Sequence, residues 1–261
     1  MTTPAAGDPG GLETAGLETA GLETTGLRKA FGGVTALDAA SVRFLPGRVN
    51  ALIGPNGSGK TTFFNCVTGM IRPDSGRVSY RGRDITGRAP HAIARAGIGR
   101  TFQLCRIFPR MTVLDNVLVA AHPGTLVGQL RAARGRGEVS RARGWLERMG
   151  IDHLAGAEAR NLSWGQQKLL ELAGVLMGEP DTILLDEPAG GVNPALIDRI
   201  GGLVRQLNAD GKTFVIVEHN MDLVMSISDH IVVLDLGQQI AAGPPSAIRS
   251  DARVLAAYLG V

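Results

Sequence analysis

The sequence predicts an α/β fold: a mainly parallel sheet covered by helices on both faces, with a helix-rich lobe inserted into it. Three observations predict it. Apolar strands and amphipathic helices alternate from Ile183 to Leu234, the rhythm of a parallel sheet. A glycine-rich loop, Gly54 to Thr61, stands between an apolar strand and a helix. Between Met111 and Met177 strand patterning gives way to helical spacing.

Composition sets the bounds. The chain has 261 residues, enough for one large α/β domain or a core with a smaller lobe. A hydrophobic fraction of 44% supports a sizeable core, and the formal charge of +3 is mild. Arg131 to Arg143 carry an arginine cluster that reads as a solvated helix face, so no nucleic-acid partner is expected. Two cysteines, Cys66 and Cys105, make no disulfide framework and suit a reducing compartment. No apolar run approaches the ~20 residues that span a bilayer, and no signal pattern opens the chain. The expectation is a soluble chain whose membrane role, if it has one, passes through a partner.

Residues 1–20 read as a disordered tail rich in Gly, Ala, Thr and Pro. Gly-Leu-Glu-Thr-Ala occurs there at Gly11 and Gly16, and again in altered form from Gly21; only this last copy, running into Leu27-Arg28-Lys29, reads as a first strand. Short strands with turns follow to Arg83, broken by the glycine-rich loop and a helix with Phe63, Val67 and Met70 at helical spacing. Ala89 to Ala96 reads as a short helix, and Gly124 to Gly137 as a polar interruption of the helical middle. Ile183-Leu184-Leu185 is an apolar strand. The helix Pro194 to Asn208 shows Leu196, Ile200, Leu203 and Leu207 on one face, with Asn193 as N-cap, Pro194 at its first position and Gly211 beyond its end. Thr213 to Val217 is a strand, Met221 to Ser228 a helix and Ile231 to Leu234 a strand.

The chemistry falls at strand ends, where open α/β sheets place ligands. Gly54-Pro55-Asn56-Gly57-Ser58-Gly59-Lys60-Thr61 spells G-x-x-x-x-G-K-[ST], whose backbone N–H groups cradle phosphates. Lys60 is expected to reach the outer phosphates of a nucleoside triphosphate, and the Thr61 hydroxyl to hold Mg²⁺. The following helix adds its positive end. Asp186-Glu187-Pro188 closes a second strand: Asp186 is the candidate acidic metal partner, and Glu187 the carboxylate that polarises an attacking water. Glu218-His219 closes a third, with His219 a candidate sensor of the terminal phosphate. Alone, an acidic pair after a strand is ordinary helix-capping material and a lone histidine is ordinarily structural; beside a phosphate loop both point to catalysis. Leu162-Ser163-Trp164-Gly165-Gln166 opens another helix, with Leu169, Leu172, Ala173 and Leu176 on its buried face, and offers a second anion-binding helix end.

Taken together in this order, the motifs resemble the nucleotide-binding subunits of ATP-binding-cassette transporters from about Leu22 to the C-terminus. The resemblance implies a phosphate-loop ATPase core over residues 21–261, with an N-terminal antiparallel β subdomain and a helical insertion over about 105–177. It also implies roles. Phe31 matches the aromatic that stacks on adenine, and Gly54 to Thr62 the phosphate loop. Gln103 matches the glutamine that links Mg²⁺ and water to the transmembrane partner, and His219 the switch histidine. Ser163, Gly165 and Gln166 match the signature that closes on ATP held by a second cassette, in a head-to-tail homo- or heterodimer. Two positions depart from the broad pattern: Trp164 stands for a glycine, and Asn193 for an aspartate after the catalytic glutamate. Both departures are common in the branched-chain amino-acid importer subgroup, and the segments Gly99 to Asn116, Glu218 to Met225 and Ala256 to Gly260 also resemble it. Relatives that handle urea, short amides or aromatic acids share these features. The implied setting is the cytoplasmic face of the cell membrane, beside permease subunits, with a periplasmic or lipid-anchored solute-binding protein as indirect partner. A lipopolysaccharide-export cassette and a soluble non-transport cassette are the alternatives.

Overall fold

The computed structural model describes residues 21–120 and 135–259; the repeat tail and most of the Gly124 to Gly137 interruption lie outside them. Ten strands and nine α-helices follow among the described residues: β1 (Leu22–Phe31), β2 (Val34–Phe44), β3 (Val49–Ile53), α1 (Lys60–Val67), β4 (Ser75–Tyr80), β5 (Arg83–Asp84), α2 (Pro90–Arg95), β6 (Ile98–Arg100), α3 (Val113–Val119), α4 (Arg136–Arg148), α5 (Trp164–Met177), β7 (Thr182–Asp186), α6 (Pro194–Ala209), β8 (Thr213–Val217), α7 (Met221–Ile227), β9 (His230–Asp235), β10 (Gln238–Gly243), α8 (Pro245–Arg249) and α9 (Ala252–Leu259).

They form two sheets. The first is antiparallel, in the order β2-β1-β4-β5. The second runs β10-β9-β3-β8-β7-β6; all its pairs are parallel except β9 with β10. Every residue of β3, β7 and β8 is buried, as expected of parallel strands covered on both faces. Their alternation sorts two cores. Ile183, Leu185, Phe214 and Ile216 face a core shared with α3, α4, α5 and α6. Leu184, Val215 and Val217 face another, shared with the antiparallel sheet and α1. There Phe63 of α1 meets Phe44 of β2 edge-on, ring centroids 6.0 Å apart. A smaller third core packs Ile53, Val224 and Val233 against Ile248 and Val254 of the C-terminal helices.

Three readings need correction. The helix after the phosphate loop stops at Val67, and Met70 lies beyond it, exposed. The cause is Gly69, at φ +70°, where a Cβ would stand 2.1 Å from the Arg88 carbonyl oxygen. Gly137 lies inside α4. The first two strands are long: β1 has 10 residues and β2 has 11.

The order β3-β8-β7 has the consequence that matters. It sets side by side the strands that end in the phosphate loop, in Glu218-His219 and in Asp186-Glu187.

Candidate active site

The phosphate loop leaves β3 at Gly54 (φ +152°) and enters α1 through Gly59 (φ +97°). Neither position has room for a side chain. A Cβ on Gly54 would lie 2.0 Å from the Leu234 carbonyl oxygen of β9, and one on Gly59 2.3 Å from the Ala36 carbonyl oxygen of β2. The turn between β9 and β10 completes the brace. Gly237 N–H donates to the Ser58 carbonyl (3.1 Å), and its own carbonyl accepts from Asp38 N–H (3.0 Å). Backbone from both sheets thus shapes the loop.

Lys60 is buried, and its ammonium donates to the carbonyls of Gly54 (2.8 Å) and Pro55 (2.9 Å). Burial lowers its pKa, and the nearby negative charge of Glu187 works against that. The loop lines a cleft of about 340 Å³ together with Thr61, Thr62, Gln103, Glu187 and His219. Within it Glu187 is the hub. Its Oε2 accepts from Gln103 Nε2 at 2.8 Å, and its Oε1 lies 3.0 Å from His219 Nε2. Three candidates far apart in sequence therefore meet through hydrogen bonds.

Their supports are buried. Glu187 has φ +49°, an uncommon conformation for a residue with a side chain. Its N–H donates to the Val217 carbonyl of β8 (2.9 Å), and its carbonyl accepts from Lys168 Nζ of α5 (2.6 Å). Glu218 is buried, and its carboxylate accepts from the N–H groups of Ala189, His219 (2.9 Å) and Asn220 (3.0 Å). It thereby ties the loop after β7 to the loop after β8.

Asp186 is also buried, with Oδ2 2.8 Å from Arg100 Nη2. Arg100 Nη1 reaches Asn65 Oδ1 (2.7 Å) and Thr68 Oγ1 (2.9 Å), so one guanidinium joins β7 to α1. The rings of Phe64 and Phe102 flank it at 5.5 and 4.9 Å. Sequence reasoning gave no role to Arg100, Lys168 or Glu218. A charged residue inside or beside an apolar strand is the signal that points to such partners.

Phe31 ends β1 about half exposed, with Lys29 Nζ 5.5 Å from its ring centroid. Ser163, Gly165 and Gln166 do not line the cleft. They form the start of α5, where Ser163 and Gln166 cap each other reciprocally. Gly165 has its own packing reason: a Cβ there would lie 2.4 Å from Leu196 Cδ2 of α6. The Trp164 indole N–H donates to the Gly190 carbonyl at 3.2 Å, so the ring leans on its own chain's loop after Glu187.

Comparison with known proteins agrees with this geometry. Residues 37–190 match the family described as ABC transporter, and residues 238–261 match the branched-chain amino acid ATP-binding cassette transporter family. The chain is 41% identical over 239 residues to the high-affinity branched-chain amino acid transport ATP-binding protein LivG of Salmonella typhimurium, covering 88% of this chain and 94% of that one. It is 42% identical over 239 residues, with the same coverage, to BraF of Pseudomonas aeruginosa. A nucleotide-free ATP-binding cassette from an ABC transporter superposes with a TM-score of 0.83 at 37% identity, covering 93% of this chain and all of that one. The ADP conformation of an ATP-binding cassette superposes at 0.82, again at 37% identity, covering 93% of this chain and 99% of that one. With its motifs on adjacent strand ends and its relatives matched nearly end to end, the chain belongs to the ABC transporter family, as one of its ATP-binding cassettes.

Proposed function

We propose that this cassette hydrolyses Mg²⁺-bound ATP to power import of branched-chain amino acids through permease subunits, at the cytoplasmic face of the membrane. The observation that carries the chemistry is the Gln103–Glu187–His219 network in the cleft that holds Lys60 and Thr61. Lys60 and the loop amides neutralise the terminal phosphates. Glu187 takes the proton of the attacking water, Gln103 holds that water in line, and His219 keeps the carboxylate aimed. The donor set suits magnesium that arrives with its nucleotide. Among the described residues no group of three or more His, Cys, Asp or Glu side chains stands ready to hold a metal ion. Mg²⁺ binds through one or two protein ligands plus phosphate oxygens; Thr61 and Gln103 line the cleft and would be those ligands, while Asp186, outside that lining and paired with Arg100, would act through water. Bound there, the ion would spread the charge developing on the transferred phosphoryl group.

The transported solute rests on the C-terminal family match and on the relatives' names, LivG and BraF. No described helix is long and apolar enough to cross a membrane. The test has two arms. Glu187→Gln keeps the side chain's size and removes its charge; steady-state ATPase is expected to fall at least ~100-fold while ATP still binds. Near-normal hydrolysis in that variant would move the base elsewhere. In proteoliposomes with its permeases and binding protein, the native chain is expected to drive ATP-dependent uptake of labelled leucine. Uptake of urea or short amides without leucine would refute the solute assignment.

A further inference from the structure

The first two turns of α5 carry a stripe that no motif of the cleft accounts for. Trp164, Lys168 and Glu171 recur at the spacing of one helix face. Each grips a loop that bears a site residue of the same chain. Trp164 Nε1 donates to the Gly190 carbonyl, after Glu187. Lys168 Nζ donates to the carbonyl of Glu187 itself at 2.6 Å, and lies 5.6 Å from the Trp164 ring centroid. Glu171 accepts from the backbone N–H groups of Phe102 (3.3 Å) and Arg106 (2.9 Å), which flank Gln103.

Lys168 and Glu171 are both buried in a helix whose other inward residues are apolar. Burying charges costs free energy that packing alone would not demand. The chemistry is also specific. A carboxylate is acceptor-only and presents one oxygen to each backbone donor, whereas an amide in its place would turn an NH₂ group toward one of them. Burial raises the Glu171 pKa, and the two backbone N–H groups oppose that rise.

We infer that Lys168 and Glu171 are positioning residues that make Glu187 and Gln103 follow the helix opened by Ser163, Gly165 and Gln166. A displacement of α5 then moves the base and the glutamine together, rather than leaving the cleft indifferent to the helix. The inference rests on the proposed roles of Glu187 and Gln103.

The test uses the full chain. Glu171→Gln is expected to lower kcat for ATP about tenfold with KM within about threefold, the pattern of a group serving the transition state. In a Gln103→Ala background the same change is expected to cost less than about twofold more, because both substitutions disable one unit. Hydrogen exchange read by mass spectrometry is expected to accelerate at the amides of Phe102 and Arg106 while the melting temperature stays near native. If Glu171→Gln folds poorly, Lys168→Met enters the corresponding cycle with Glu187→Gln. Losses that multiply in the cycle, or unchanged exchange at 102–106 with native kcat, overturn the inference. Should Gln103→Ala alone leave kcat native, the proposed role of Gln103 fails, and the exchange measurement still decides whether Glu171 holds that segment.

Discussion

Glu187 is held in the left-handed region at φ +49°, a conformation that costs of order 1–3 kcal/mol for a residue with a side chain. Hydrogen bonds from Gly190 N–H, Lys168 and its own N–H to Val217 hold it there. Arg100 acts just as locally, as the cation beside buried Asp186. Arg100→Met would leave that carboxylate without its partner, and breaking a buried pair from one side costs about 3–5 kcal/mol. Urea unfolding is expected to show the loss, and a native midpoint would mean that the Arg100–Asp186 pair adds nothing to stability. Lys60→Ala is expected to abolish binding of a fluorescent ATP analogue with little loss of fold. At this scale the sequence was legible wherever a residue sat in a run with its partners, as Lys60 does in Gly54–Thr61. It was silent for Arg100, whose partners come from β7 and α1, and for Glu218, which reaches across to Ala189 in the loop after β7.

The strands and helices were legible where their apolar pattern was regular, as in α5, α6 and β8. Two strands of the large sheet gave no signal. β6 is three residues, and β10 reads Gln-Gln-Ile-Ala-Ala-Gly, with little β-branched or aromatic character. The hairpin before β10 turns at Leu236 and Gly237, both at positive φ, where asparagine or aspartate more often precedes glycine. α5 shows what an element adds to its motif. Trp164 contacts the Gly190–Gly191 loop through its indole N–H. Trp164→Gly is expected to change turnover less than about tenfold, or ~1.4 kcal/mol, because the Ser163 and Gly165 donors remain. Complete inactivity with intact ATP binding would make the indole contact essential to Glu187.

For the whole molecule, alternation implied a parallel sheet, but the strand order did not follow from sequence. Which strands become neighbours depends on crossovers that periodicity does not encode. The same holds for the second half of the proposed site. One chain brings together Lys60, Gln103, Glu187 and His219, yet keeps Ser163, Gly165 and Gln166 out of that cleft. The site is therefore expected to be completed by a second cassette. In the presence of ATP, Glu187→Gln should elute from size exclusion as a dimer that the native chain forms only transiently; if the pair is heteromeric, the second cassette must be supplied. Slow hydrolysis without a trapped dimer would leave the chemistry standing and remove the shared site.

The brace at Gly237 has a consequence for synthesis. The phosphate loop is complete early in the chain, yet its shape depends on Gly237 bonding to Ser58 and Asp38, and on Leu234 closing over Gly54. Contacts of that sequence separation form late and slowly. A nascent chain on the ribosome thus carries its nucleotide motif long before it owns a nucleotide site. Stalled chains with Gly237 still in the exit tunnel are expected not to retain ATP, and chains with β10 emerged are expected to retain it.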